Sequence, residues 1–226
     1  DVTASPGITA REGMDRLVPV TNWRGYNSRY NFAGAATRGG ENAVAGFIYE
    51  KRCGVNENDN NPDNEFYKKN PWTYNVLAYK SYFMMGDYLI ALGAGITNLE
   101  PGMQGTIRTT IDQTAHVGKV YRIWGSEKQS IALGTQSFIE KGKNVWITQD
   151  GGFAYTVLPG ETKKAYYTIE TKKNEWNKRN IENKNKTNLP EEADILRLWV
   201  DHGRTCQDDT YGYVVYCGTG LSLIHI

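Results

Sequence analysis

In the stretch 80–85, Lys80, Tyr82 and Met84 alternate with Ser81, Phe83 and Met85, and such a period-two arrangement is typical of a strand whose two faces meet different surroundings. Gly86 and Asp87 follow, and both residue types favour turns, because glycine tolerates a positive φ and aspartate can hydrogen-bond its own backbone. Residues 88–92 then form a nearly unbroken apolar run. The sequence therefore predicts a β-hairpin with its turn at Gly86-Asp87.

Further runs rich in Thr, Ile, Tyr and Phe, separated by Gly and Asn, predict a packed antiparallel sheet. Gly93 and Gly95 are expected to end the return strand of the hairpin. The other predicted strands cover residues 43–50, 106–111, 119–124, 130–133, 144–148, 153–158, 165–170, 195–203 and 210–216.

Turn chemistry separates several of these runs. Asp150-Gly151 lies between two β-rich runs and is the strongest hairpin signal in the chain. Pro6-Gly7 predicts another turn near the start. Residues 175–189 are rich in Asn and Lys with few apolar residues, and we interpret them as an exposed excursion.

Length and composition fit one large all-β domain or two small ones. The chain has 226 residues, of which 39% are hydrophobic and 23% charged. The formal net charge of +1 gives no bulk field that would attract nucleic acid or an anionic membrane. No apolar run approaches the roughly 20 residues that span a bilayer. We therefore expect neither nucleic acid nor a membrane as a partner.

The candidate catalytic groups are few. Asp201-His202-Gly203 sets a carboxylate beside an imidazole, which suits general acid–base chemistry. Adjacent strand residues point to opposite faces, however, so we favour a structural role, with a buried His202 that hydrogen-bonds backbone carbonyls. Asp112 and Glu41 are single carboxylates with no partner in sequence. Two carboxylates can meet across a sheet, so a hydrolase stays open.

Metal and disulfide chemistry are weakly indicated. The polar stretch 56–65 carries acidic oxygens that could ligate Ca²⁺, although its spacing misses the EF-hand loop and a solvated surface loop is favoured. Cys206 and Cys217 could form a disulfide if their strands pair. The favoured alternative is three unrelated, mostly buried thiols, Cys53 included. We predict no cofactor and no metal.

Several motifs, in order along the chain, carry a family resemblance. Residues 80–96, KSYFMMGDYLIALGAGI, are followed by TTIDQ at 109–113. Later come the hairpin around Asp150-Gly151 and the run ending in Asp201-His202-Gly203. This set resembles polysaccharide lyase family 8, which includes chondroitin, hyaluronate and xanthan lyases. The resemblance covers about residues 6–217.

The resemblance implies a fold. We expect an all-β protein with a large antiparallel β-sandwich, a super-sandwich similar to that of galactose mutarotase, and little helix. Residues 1–220 would be the central sandwich domain, truncated at both ends. Residues 221–226 resemble the translation of a common sequencing adapter, so we expect a non-native tail there; the alternative is a genuine last strand.

The resemblance also implies a function. Such lyases cleave uronic-acid polysaccharides, for example chondroitin sulfate or hyaluronan, by β-elimination. The Asn, His, Tyr and Arg that perform it lie in an N-terminal helical toroid, which this chain lacks. We therefore expect a secreted or periplasmic protein whose sandwich packs against its own toroid and lines the cleft for an acidic polysaccharide. No catalytic residue is assigned here, and the chain is expected to be inactive alone.

Three residues are predicted to contact substrate because they lie in the part nearest the missing cleft region: Trp23, Arg24 and Arg38. Tryptophan can hold a sugar ring, and arginine offers a planar fork for a carboxylate. The alternative for Trp23-Arg24 is an arginine stem packed across an aromatic ring at a strand edge. Two other functions stay open for the whole chain, a non-catalytic carbohydrate-binding module and a purely structural or adhesive sandwich.

Overall fold

The computed structural model describes residues 4–12, 30, 32–51, 76–139, 144–159, 164–174 and 191–218. Within these ranges the chain forms strands and connecting turns and contains no helix. The strands are β1 (Thr9–Arg11), β2 (Ala33–Arg38), β3 (Asn42–Lys51), β4 (Val76–Met85), β5 (Tyr88–Asn98), β6 (Ile107–Ala115), β7 (Val120–Trp124), β8 (Glu127–Ile131), β9 (Gln136–Ile139), β10 (Val145–Gln149), β11 (Ala154–Val157), β12 (Lys164–Asn174), β13 (Glu191–Gly203) and β14 (Asp209–Tyr216).

These strands form two antiparallel sheets. One sheet has five strands in the order β1-β6-β13-β12-β9. The other has nine strands in the order β2-β3-β4-β5-β14-β11-β10-β7-β8. Every described strand pair is antiparallel. The predicted all-β sandwich is confirmed.

Alternate side chains of the strands meet between the two sheets. Val76 and Ala78 point inward from β4, and Leu196, Leu198 and Val200 point inward from β13, and all five are fully buried. Burial of a valine or leucine side chain stabilises a fold by about 1.5–3 kcal/mol. The period-two pattern in the sequence therefore corresponds to a packed core on one face of each sheet.

The predicted hairpin is present, but its return strand is longer than expected. β5 continues through Gly93 and Gly95 to Asn98, so the expectation that these glycines end the strand is wrong. Gly93 leaves room for the Tyr211 ring, since a Cβ there would lie 2.0 Å from Cε1 of that ring. Gly95 has φ of 63° close to a register shift in the β4–β5 pair, so it accommodates a bulge.

Three strands were not anticipated from the sequence. β2 consists mainly of small residues that are all exposed, so it carries no hydrophobic alternation. β1 and β9 have only three and four residues. Their pairing with longer neighbours, rather than their own composition, places them in the sheets. The predicted turns at Pro6-Gly7 and Asp150-Gly151 are confirmed.

Candidate functional site

His202 lies at the centre of a buried chain of polar side chains. Its Nδ1 is 2.8 Å from Oδ2 of Asp209, and its Nε2 is 2.8 Å from Oγ1 of Thr109. The Thr109 hydroxyl is in turn 2.8 Å from that of Thr9. The imidazole has no exposed surface. This order of groups resembles a catalytic relay, but a substrate could not reach it without opening the sandwich.

Asp201 belongs to a separate set of contacts. Its carboxylate accepts hydrogen bonds from the Arg108 side chain, from the Thr106 hydroxyl and from the Gly203 backbone N–H. The prediction that Asp201 and His202 point to opposite faces is therefore confirmed. The prediction that His202 hydrogen-bonds backbone carbonyls is wrong, because side chains from other strands satisfy both of its ring nitrogens.

Lys80 is the second enclosed group that could exchange protons. Its Nζ donates a hydrogen bond of 2.5 Å to the carbonyl oxygen of Gly7 and lies 5.1 Å from the ring centre of Tyr49 and 5.9 Å from that of Tyr211. Burial lowers the pKa of Lys80 from 10.5 to about 7. Burial also raises the pKa of Tyr211 and that of the neighbouring Tyr82.

Asp112 and Tyr155 form a third enclosed pair. The Tyr155 hydroxyl donates a close hydrogen bond to Oδ2 of Asp112. Burial, and then the Asp112 charge, raise the pKa of Tyr155. Burial likewise raises the pKa of Tyr213, with smaller contributions from Tyr82 and Asp112. Asp112 therefore has a phenol as its partner and not a second carboxylate, and the described residues do not supply the carboxylate pair of a hydrolase here.

Arg11 is a fully buried cation that holds the connection between β5 and β6. Its guanidinium donates to Oδ1 of Asn98 at 2.8 Å and to the backbone carbonyls of residues 100 and 103–105 at 3.0–3.4 Å. The exposed Arg204 donates to the carbonyls of Pro101 and Gly102. No sequence motif marks this arrangement, because all of its acceptors except Oδ1 of Asn98 are backbone atoms.

An open groove of about 580 Å³ lies against β3, β4 and β5 of the nine-stranded sheet. Pairing of Ile48 with Tyr79, and of Tyr79 with Ala94, places these lining residues on the outer face of the sheet, away from the core. Phe32 and Tyr79 line the groove and are 58% and 48% exposed. The groove thus presents two accessible aromatic rings.

Of the three predicted substrate contacts, only Arg38 can be placed. It is exposed at the end of β2, where it pairs with Asn42. It lies on the same outer face as Phe32 but six residues further along, which corresponds to about 20 Å in a strand. Arg38 is therefore not part of the groove. Trp23 and Arg24 lie outside the described residues.

The remaining predictions have mixed outcomes. Cys206 is buried, Cys217 is exposed, and no disulfide joins them, so the favoured alternative of separate thiols is confirmed for this pair. Cys53, the stretch 56–65 and the tail 221–226 lie outside the described residues. Across the described ranges, no three His, Cys, Asp or Glu side chains converge as metal ligands. The same ranges hold no helix that is long and apolar enough to cross a membrane.

Taken together, the two antiparallel sheets define an all-β sandwich. The sequence matches the family described as polysaccharide lyase family 8, super-sandwich domain, over residues 1–224. The chain belongs to polysaccharide lyase family 8. This confirms the resemblance on which the sequence interpretation was based.

Two curated relatives are similar in sequence. A chondroitin sulfate ABC endolyase from Proteus vulgaris is 22% identical over 142 residues, which is 63% of this chain and 12% of the relative. A xanthan lyase from Bacillus sp. strain GL1 is 27% identical over 154 residues, 63% of this chain and 15% of the relative. The chain thus corresponds to a small part of each relative.

Solved structures show the same fold. A chondroitinase AC lyase determined in oligosaccharide complexes has a TM-score of 0.70 at 21% identity, covering 97% of this chain and 27% of that protein. A Paenibacillus xanthan lyase has a TM-score of 0.70 at 20% identity, and the match covers 97% of this chain and 19% of that protein. The chondroitin AC lyase of Streptomyces coelicolor A3, in complex with chondroitin sulphate, has a TM-score of 0.65 at 21% identity. The match covers 98% of this chain and 24% of that protein.

Proposed function

We propose that this chain is the central β-sandwich of a lyase that cleaves uronic-acid polysaccharides, such as chondroitin sulfate or hyaluronan, by β-elimination. In this proposal the sandwich braces a helical toroid that holds the reaction centre, and it walls one side of the polysaccharide cleft. The family match over residues 1–224 supports the proposal, as does the small share of each relative that the chain covers.

The observation that carries the proposal is the enclosure of His202 and Lys80 and the engagement of Asp112 by an enclosed phenol. In β-elimination a base removes the C5 proton, a neutralised carboxylate stabilises the enolate-like transition state, and an acid protonates the leaving oxygen. Such groups must touch the sugar. His202 and Lys80 are buried in the sandwich, and Asp112 is bonded to the enclosed Tyr155. We therefore assign no catalytic residue here and propose that the chain is inactive alone.

The outer face of the nine-stranded sheet is the proposed wall of the cleft. Its groove presents Phe32 and Tyr79, and Arg38 is exposed on the same face for contact with a uronate carboxylate. Trp23 and Arg24 are also proposed contacts, because a tryptophan can hold a sugar ring and an arginine offers a planar fork for a carboxylate. Because polymeric substrates lie outside cells, the proposal also makes the protein secreted or periplasmic.

An activity assay on two forms of the protein tests the proposal. The complete protein that contains this chain and the 226-residue chain alone would each be given chondroitin sulfate, hyaluronan and xanthan. The ultraviolet absorbance of the unsaturated sugar product reports β-elimination. We expect activity in the complete protein and none in the chain alone. Lyase activity in the chain alone would contradict the proposed division of roles.

A non-catalytic carbohydrate-binding module is the second candidate. It is favoured by Trp124, which is 40% exposed. The centre of the Trp124 ring lies 6.0 Å from Cζ of Arg122. The other two described tryptophans, Trp146 and Trp199, are buried. Retention of the isolated chain on immobilised glycan, with no lyase activity in the complete protein, would favour this candidate.

A further inference from the structure

A row of three aromatic rings crosses the outer face of the five-stranded sheet. Tyr166 of β12 pairs with Phe138 of β9 on one side and with Trp199 of β13 on the other. The flanking core residues Ala165 and Leu198 point between the sheets, so the three rings point the opposite way. Ring centres are 6.5 Å apart for Phe138 and Tyr166 and 5.6 Å apart for Tyr166 and Trp199.

Three cations accompany these rings. Lys164 Nζ lies 5.5 Å from the centre of the Phe138 ring. The guanidinium carbons of Arg108 and Arg197 lie 5.0 and 4.9 Å from the Trp199 ring. The surface therefore combines flat apolar faces with positive charge along one line.

The Phe138 end of the row is open to solvent. Phe138 is 43% exposed, Tyr166 is half-buried and Lys164 is exposed, whereas Trp199 is buried. Arg108 is already paired with Asp201 and Glu12. Lys164 makes no ion pair with a carboxylate among the described residues, and its side chain is exposed to solvent.

We propose that Phe138, Tyr166 and Lys164 form a second contact surface for an acidic polysaccharide, on the side of the sandwich opposite the cleft wall. The C–H face of a sugar packs on an aromatic ring, and a uronate carboxylate or a sulfate pairs with the ammonium group. Adjacent rings on neighbouring strands follow the line of an extended glycan. This inference rests on the proposed function, and it adds a place where a long chain stays attached while another part occupies the cleft.

Kinetics on long and short substrates test this surface. The double variant Phe138→Ser with Lys164→Gln would be made in the complete lyase. With the long polysaccharide that the lyase cleaves, we expect KM to rise about three- to tenfold with kcat unchanged, the size of a modest lost contact. With a tetrasaccharide, which cannot reach both surfaces, we expect no change. A matched control is Phe153→Ser with Lys119→Gln, two exposed residues elsewhere.

The outcomes separate the two proposals. Equal KM values for wild type and double variant on the long polymer would overturn the second surface and leave the proposed function intact. A complete protein that cleaves no acidic polysaccharide would overturn both. Amine labelling gives a further measurement: we expect the long polymer to protect Lys164 and the tetrasaccharide not to. A Lys164 that is unreactive in the unliganded lyase would show that protein covers this face, which also overturns the inference.

Discussion

Lys80 of the nine-stranded sheet donates a hydrogen bond to the carbonyl oxygen of Gly7, whose own backbone N–H bonds to Thr110 of the five-stranded sheet. A buried amine thus joins the two layers of the sandwich. The rings of Tyr49 and Tyr211 lie beside this amine, and Tyr211 is hydrogen-bonded to Tyr82.

This amine gives the fold a pH dependence with a defined sign. In the unfolded chain Lys80 keeps its proton up to about pH 10.5, whereas in the folded chain its pKa is about 7. The unfolded state therefore binds more protons between these values, and the free energy of unfolding rises with pH there. We expect urea unfolding of the chain to show this rise from pH 7 to about 9, below the range in which tyrosines of the unfolded state ionise.

The variant Lys80→Met should flatten that rise, whatever its effect on absolute stability. Lys119→Met is the control, because Lys119 is exposed. Equal slopes of unfolding free energy against pH in wild type and Lys80→Met would show that Lys80 does not titrate in this window.

His202 should prove to be a structural residue. His202→Ala leaves Asp209 and Thr109 without their buried partner, so we expect a loss of about 2–4 kcal/mol of stability in chemical denaturation. In the complete protein, assayed for the proposed lyase activity below the melting temperature, kcat should be unchanged. His116→Ala, at a half-buried position, is the control. A large fall in kcat with normal stability would instead give His202 a catalytic role.

Gly93 should not tolerate a side chain. A Cβ there would lie 2.0 Å from Tyr211, so Gly93→Ala should cost about 2–3 kcal/mol in thermal or urea unfolding. Gly34→Ala provides the control, because no atom lies within 4 Å of its added Cβ. The double variant Gly93→Ala with Tyr211→Ala should cost less than the sum of its single changes, and strict additivity would argue against the clash.

Arg11 should keep the β5–β6 connection well ordered. Lysine at this position cannot reproduce the fork of donors to Asn98 and to the carbonyls of residues 100 and 103–105. Arg11→Lys should therefore cost about 2–3 kcal/mol and speed amide hydrogen exchange at residues 99–105. The exposed Arg204 offers a comparison, since Arg204→Lys should change stability by under about 0.5 kcal/mol. Amide hydrogen exchange at residues 99–105 that is equally fast in Arg11→Lys and Arg204→Lys would contradict this prediction.

Arg38 should affect binding and not chemistry. In the complete protein, assayed for the proposed activity, Arg38→Ala should raise KM for the proposed acidic polysaccharide about two- to fivefold with kcat unchanged, because an exposed charge contributes modestly to binding. Lys119→Ala controls for a general change in charge. Unchanged kinetics would remove Arg38 from the proposed cleft wall.

The sequence predicted most of the fold because long strands carry their own alternation. The hairpin around Gly86-Asp87 and the strand that contains Asp201-His202 are examples. β2 was missed because its small exposed residues have no alternation, and Gly93 was misjudged because its partner, Tyr211, lies 118 positions away in sequence. Local pattern does not reveal which distant side chain needs a vacant position.

The candidate site was less predictable for the same reason. A lone Arg11 or Lys80 has no motif, and its partners are mostly backbone carbonyls or rings from distant strands. Only packing of the two sheets brings Asp209 to His202 and Tyr155 to Asp112. The motifs near Asp201 did indicate the family, since the spacing of residues along one strand is visible in the sequence, whereas contacts between strands are not.

The two outermost strands of the large sheet differ in their side chains. β8 carries Glu127 and Lys128, and such charges discourage a foreign strand from adding to an open row of backbone donors and acceptors. β2 is built of Ala, Gly and Thr until Arg38, and all of it is exposed. Addition of a further strand to this sheet, whether from the same polypeptide or from another copy, is thus opposed by charge at the β8 edge. At the β2 edge such a strand meets no charged side chain of β2 before Arg38.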